Sequence, residues 1–297
     1  MDYTRERVIR QLQAMDSEVF EVGLFKPAPA GAVGFPEMLL RTWDVETLVH
    51  SMSWLKSQNV DGRNIYIRPK GEHPLSLIDD LTSEALERMK QSGFTPALIV
   101  ETSHDNFQAW LNHGRVLPKE VSTAAARTLA EKFDGDPGSA DWRHFGRLCA
   151  FENRKEKHRQ LGGHYPTVRL IHATGEVYDQ ASDFVASVEK QLEKTRMESE
   201  RRREQFRKNP LSVQSGGPLK TIDDFRRDPR YQADGNRIDL AYAVYAISHG
   251  VSEEQVRIAI ASRDLNKKGN ADRQLDYIER TIQKALETAT RQEAKCR

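Results

Sequence analysis

Leu75-Ser76-Leu77-Ile78-Asp79-Asp80-Leu81-Thr82 is the stretch on which the fold turns. A short apolar run ends directly in two carboxylates, and Thr82 is placed to cap a helix over residues 83–93. Residues 96–102 then read as the next strand. Two strands joined by a helix suggest a right-handed crossover of an α+β or α/β sheet, with an antiparallel arrangement as the alternative. Adjacent side chains on a strand point to opposite faces, so Asp79 and Asp80 share a ligand only if the chain turns at that point. If it does, two carboxylates at a strand mouth suit a divalent cation whose other ligands come from substrate phosphates.

Upstream, Val8, Leu12, Met15 and Val19 recur at helical spacing. Residues 18–25 and 38–43 read as paired strands around a Pro/Gly/Ala loop at 27–36. Asp44 is placed to cap a short helix running towards Trp54, and Asp61-Gly62 turns the chain into a strand at 64–68. Downstream, the Ala-rich residues 119–133 predict a helix, and 165–171 with 176–178 read as a closing hairpin. In Glu101 to Trp110 a strand end meets a polar segment whose hydroxyl and amide groups suit hydrogen bonds to a nucleotide, while Phe107 and Trp110, three apart, fit a helix core better than base-stacking platforms. Residues 186–208 carry eight basic and five acidic side chains with few apolar ones, and the breaker-rich stretch to Pro218 reads as a linker. Helices over 239–249, 252–262 and 272–290 follow, with Ile238, Leu240, Ala241, Val244, Ile247, Val256, Ile258, Ile260, Tyr277, Ile278 and Ile282 as their core.

The chain has 297 residues, 38% hydrophobic and 30% charged, long enough for a sizeable core and too apolar to be disordered. No stretch approaches the ~20 apolar residues that span a bilayer, and the charged N-terminus does not look like a secretory signal. A cytoplasmic protein without membrane partners is expected. Cys149 and Cys296 lack the spacing of a zinc site or a disulfide framework. Residues 1–140 hold 15 basic against 20 acidic side chains and the remainder 30 against 24, an asymmetry compatible with an acidic pocket beside a polyanion-binding surface.

Asp134, Asp136 and Asp141 lie on a Gly/Pro-rich turn and offer a third carboxylate. Arg143 to Arg159 is strongly basic and interleaved with aromatic residues, a composition suited to triphosphate or template phosphates. Paired acids, a polar strand end, a third acid and a basic segment together fit two-metal phosphoryl transfer.

At this point the chain resembles the plasmid-encoded RepB-type DNA primases, particularly those of mobilisable broad-host-range plasmids, within the archaeo-eukaryotic primase superfamily. The resemblance rests on six ordered blocks: Ile65-Tyr66-Ile67-Arg68-Pro69; Asp79-Asp80-Leu81; Glu101-Thr102-Ser103 with Asn106-Phe107-Gln108-Ala109-Trp110; Asp136-Pro137 with Ser139-Ala140-Asp141; Gly146-Arg147-Leu148 with Phe151 and Asn153-Arg154-Lys155; and Asp276-Tyr277-Ile278-Glu279-Arg280-Thr281. It implies catalytic, Mg2+- or Mn2+-binding acids at Asp79, Asp80 and Asp136, with Asp141 as second choice for the third, and nucleotide contacts at Ser103, Asn106, Arg147, Asn153 and Lys155. The superfamily's nucleotide-binding His would fall at Asp105; His104 is offset by one and takes no such role.

The expected protein is therefore α+β: a mixed-sheet primase-like catalytic domain with flanking helices at 1–185, a charged connecting helix and linker at 186–218, and a small C-terminal helical bundle at 219–297. Arg263, Lys267, Lys268 and Arg273 gather around a turn of that bundle as candidate template contacts. Expected partners are single-stranded DNA template and nucleoside triphosphates, with a replicative helicase and host polymerase downstream. The alternatives are a non-catalytic plasmid origin-binding protein and a metal-dependent nuclease. A rolling-circle initiator is disfavoured because the chain has no His-x-His pair.

Overall fold

A computed structural model describes residues 3–27, 37–208, 219–231, 234–265, 268 and 271–296. Most of the loop expected at 27–36, the breaker-rich linker after Lys208 and the candidate Lys267 lie outside the described residues. Elements follow in the order α1 (Tyr3–Met15), β1 (Val19–Lys26), β2 (Glu37–Asp44), α2 (Val45–His50), α3 (Met52–Val60), β3 (Asn64–Pro69), β4 (Leu75–Leu81), α4 (Ser83–Gln91), β5 (Leu98–Ser103), β6 (Asn106–Asn112), α5 (Lys119–Lys132), β7 (Gly146–Arg147), β8 (Arg169–Ala173), α6 (Ala181–Lys208), α7 (Ile222–Arg227), α8 (Gly235–Ser248), α9 (Glu253–Ala261) and α10 (Ala271–Cys296). The chain divides into two compact units, Met1–Lys194 and Thr195–Arg297.

The first unit holds two four-stranded sheets, ordered β2-β1-β3-β7 and β4-β6-β5-β8. The α+β class is as expected, with one correction to the mixed sheet: every ladder between these strands is antiparallel. The crossover through α4 does join two parallel strands, β4 and β5, but β6 inserts between them and pairs antiparallel with both. That insertion places Phe107 and Trp110 on a strand and not a helix; Trp110 is buried between the sheets.

The alternation of β4 explains why its sequence is apolar almost throughout. Leu75 and Leu77 face a core shared with Phe20, Val22, Ile65, Ile67 and the α1 residues Val8 and Leu12. Ile78 faces the opposite side and packs against α4 and α5 through Leu86, Met89, Ala126 and Leu129. A strand covered on both faces tolerates few polar side chains. The caps expected at Asp44 and Thr82 are present, accepting from the backbone N–H groups of Thr47 and Ala85.

The hairpin expected near residue 175 does not form. β8 pairs with β5, because the N–H groups of Thr174 and Gly175 donate to the Ala97 carbonyl and dock the turn on the approach to β5. Gly175 has φ +74°, and a Cβ there would lie 3.2 Å from the Ala14 carbonyl oxygen, so α1 can approach only a glycine. The domain edge expected at 185 also moves. Val185 and Val188 of α6 are buried against Leu117 and Ala125, so the charged helix begins as part of the first core.

The second unit has its own core, formed by Ile222, Phe225, Ile238, Tyr242, Ala243, Ile247, Val256, Ile260, Ile278, Ile282 and Leu286. Ile258, expected inside, is 61% exposed. It lies two residues from both Val256 and Ile260, which are buried, and so falls on the outer side of α9. Helix α7 was not expected; Thr221 and Asp224 build a capping box at its start. Among the described residues, no helix is long and apolar enough to cross a membrane.

Candidate active site

The β4 backbone resolves the geometric difficulty of adjacent acids. Ile78 faces Ala109 and Leu81 faces Phe107, so three steps along β4 match two along β6, and one extra residue bulges out. Asp80 takes the left-handed conformation at φ +58°. Instead of pointing to opposite faces, both carboxylates then line one cleft of about 410 Å³. The Asp80 N–H donates back to Asp79 Oδ1 at 2.8 Å, which fixes the turn.

Asp136 is brought to the same cleft by its backbone, whose N–H donates to the Asp79 carbonyl at 3.0 Å. The approach requires Gly135, since a Cβ there would lie 2.4 Å from the Ile78 side chain and 3.1 Å from the Asp79 carbonyl oxygen. The Asp136 carboxylate accepts from the Gly138 N–H at 2.8 Å, and Asp141, also lining the cleft, accepts from the Arg143 N–H at 2.6 Å. Burial pushes the Asp79 carboxyl above its ordinary value, opposed by the Gln108 amide that donates to it. Gln108, facing the bulge from β6, also accepts from the Arg147 N–H at 2.6 Å. One buried amide thus joins the acidic and basic sides of the cleft.

Arg147 is 2% exposed, with its guanidinium 4.6 Å from the Tyr66 ring centre. Nη1 donates to Asn64 Oδ1, while Nη2 is buried without a hydrogen-bond partner. A buried, unsatisfied guanidinium nitrogen in an open cleft is the arrangement that an anionic ligand would complete. Lys155 and Lys157 line the same side. Burial and the neighbouring Arg147 charge lower the Lys155 pKa.

The sequence-assigned residues separate into groups. Asp79, Asp80, Asp136, Asp141, Asn106, Arg147, Asn153 and Lys155 all line the cleft. Ser103 does not: it is buried at the β5–β6 turn, and its neighbour Thr102 reaches the cleft instead. The side-chain amide of Asn153 donates to the Thr102 carbonyl at 2.9 Å, tying the basic segment to β5. In the second unit Arg263 is engaged within the bundle, paired with the fully buried Asp239 and donating to the Tyr277 hydroxyl. Lys268 donates to Asn236 at 2.6 Å and lies over the Tyr277 ring, and Arg273 is exposed. Tyr66, Thr102, Gln108 and His144, to which the sequence assigned no individual role, line the cleft as well; His144 Nε2 stands 3.9 Å from Asp79.

The donors at the acidic end are carboxylate oxygens, the hard ligands that suit Mg2+ or Mn2+. Among the described residues no three Asp, Glu, His or Cys side chains form a metal-holding group. An ion here would draw its remaining ligands from phosphate oxygens and water.

Comparison with known proteins gives a consistent picture. Residues 45–195 match the RepB DNA-primase N-terminal domain family. Mobilization protein A of Escherichia coli is 34% identical over 96% of this chain, which spans 41% of that protein's length. The crystal structure of primase RepB′ is 31% identical, covers 99% of this chain and 100% of its own, and superposes with a TM-score of 0.63. The catalytic domain of primase RepB′, crystallised in complex with initiator DNA, is 37% identical, covers 66% of this chain and 98% of its own, and gives a TM-score of 0.59.

Proposed function

The chain belongs to the RepB DNA-primase family, and from that premise we propose that it synthesises short primers on single-stranded DNA during plasmid replication by template-directed nucleotidyl transfer. The observation that carries this reading is the bulge that turns Asp79 and Asp80 into one cleft with the unpartnered Arg147 nitrogen. Asp79 and Asp80, with Asp136 beside them, would hold Mg2+ or Mn2+, which when bound lowers the pKa of the attacking 3′-hydroxyl and offsets charge on the departing pyrophosphate. Arg147, Lys155 and Lys157 bind the triphosphate and orient it towards the acids. No side chain forms a covalent bond to substrate, since positioning and charge stabilisation suffice for phosphoryl transfer.

DNA binding is carried over from the relative crystallised with initiator DNA, and hand-over to a replicative helicase and host polymerase follows from what primers are for. One gel tests the reading: full-length protein with single-stranded DNA, nucleoside triphosphates and Mg2+ or Mn2+. Short products that disappear in Asp79→Ala and Asp80→Ala are expected. Shortened template would identify a nuclease, and binding without either product an origin-binding protein.

A further inference from the structure

Asp80 sits on the lip of the cleft, exposed and on a left-handed backbone, so its carboxylate needs an external restraint to face inward. The restraint is Asn106, whose Nδ2 donates to Asp80 Oδ1 at 2.7 Å and takes only one of the two carboxylate oxygens. A carboxylate only accepts, so the NH2 end of the amide must face Asp80 and its oxygen must face away. That oxygen receives the Thr102 hydroxyl at 2.6 Å. Thr102 is 5% exposed, and its hydroxyl lies 3.3 Å from the Asn106 carbonyl as well, so both of its acceptors are on Asn106. The thread continues through the Thr102 carbonyl to the amide of Asn153, whose oxygen accepts from the Lys155 N–H at 3.4 Å. A run of hydrogen bonds therefore links the basic segment to the acid on the bulge.

We propose that Asn106 and Thr102 are positioning residues: the Thr102 hydroxyl sets the orientation of the Asn106 amide, and the amide holds the Asp80 carboxylate towards the cation. The proposal rests on the primase reading and reassigns Asn106 from contact with the incoming nucleotide to control of an acid. Partners that orient a metal-binding carboxylate govern affinity for the ion at one remove.

The test uses the full chain and its Thr102→Val, Thr102→Ser and Asn106→Ala variants. Mn2+ affinity is read from the electron paramagnetic resonance signal of the free ion without nucleotide, and the nucleotide KM from primer synthesis at saturating Mn2+. Thr102→Val keeps the side-chain shape, and thermal unfolding confirms that each variant folds. Thr102→Val and Asn106→Ala should weaken Mn2+ binding by about tenfold or more, Thr102→Ser should restore it, and the nucleotide KM should stay near the wild-type value. Unchanged Mn2+ affinity with a raised nucleotide KM would overturn the proposal and return Asn106 to the nucleotide. Wild-type protein that neither binds Mn2+ nor makes primers would instead overturn the primase reading, an outcome visible before any variant is measured.

Discussion

At the scale of single residues, the site holds groups in states that cost the fold something. Burial raises the Asp79 pKa above 3.8, so the fold favours the neutral carboxyl. That contribution is complete below the unfolded value and is lost as pH rises through the folded one, so at neutral pH the ionised Asp79 weakens the protein. Asp79→Asn, neutral at every pH, should therefore melt higher than wild type at pH 7 in EDTA, with the difference closing below about pH 4, while primer synthesis is lost. Equal melting temperatures at pH 7 would contradict the account. On the basic side, Lys155→Ala and Arg147→Lys should each raise the nucleotide KM roughly tenfold, the worth of one charge-assisted hydrogen bond, and change single-stranded DNA affinity less. The reverse pattern in binding and steady-state measurements would assign the segment to the template. The acids were legible in the sequence because their chemistry is local to one strand end and one turn. The places of Gln108, Tyr66 and His144 beside those acids were not, because strand pairing and loop return bring them in from separate parts of the chain.

At the scale of elements, the decisive feature is the β4 bulge. The residue pattern marked the strand and the cap at Thr82 correctly, but alternation alone sends Asp79 and Asp80 to opposite faces. Only the pairing of β4 with β6, two residues of one against one of the other, reveals how both reach the cleft. The same cross-strand logic explains why Phe107 and Trp110, at a spacing that also suits a helix, lie on β6. The bulge makes its own prediction. A side chain with a Cβ pays about 1 kcal/mol or more for the left-handed conformation that Asp80 occupies at φ +58°, and glycine does not. Asp80→Gly and Asp80→Ala should both be inactive, yet the glycine variant should melt roughly 2–4 °C higher than the alanine variant. Equal stability would mean that the backbone at 80 relaxes once the carboxylate is gone.

At the scale of the whole molecule, sequence composition marked the charged helix as a bridge but misplaced where the first body ends. Phe184, Val185, Val188 and Leu192 pack the start of α6 on the first unit, a stripe that the dense charges of the same helix mask in the sequence. Sequence also grouped Arg263 with the template contacts, since nothing local discloses its partner Asp239, 24 residues upstream on α8. Arg263 is engaged with Asp239 and Lys268 with Asn236, so template contact is tested on the bundle as a whole. The two units have separate cores, and the catalytic domain of the related primase was crystallised in complex with initiator DNA. A chain ending at Lys208 keeps both sheets, the cleft and all of α6. It should stay folded and extend a supplied primer, because a primer duplex adds phosphate contacts that hold the template in place. It should fail to start a primer de novo, where that duplex does not yet exist and the bundle must hold the strand. Side-by-side extension and initiation assays decide the point: de novo products at the full-chain rate would show that the bundle is dispensable for initiation and that its basic turn is solvated surface.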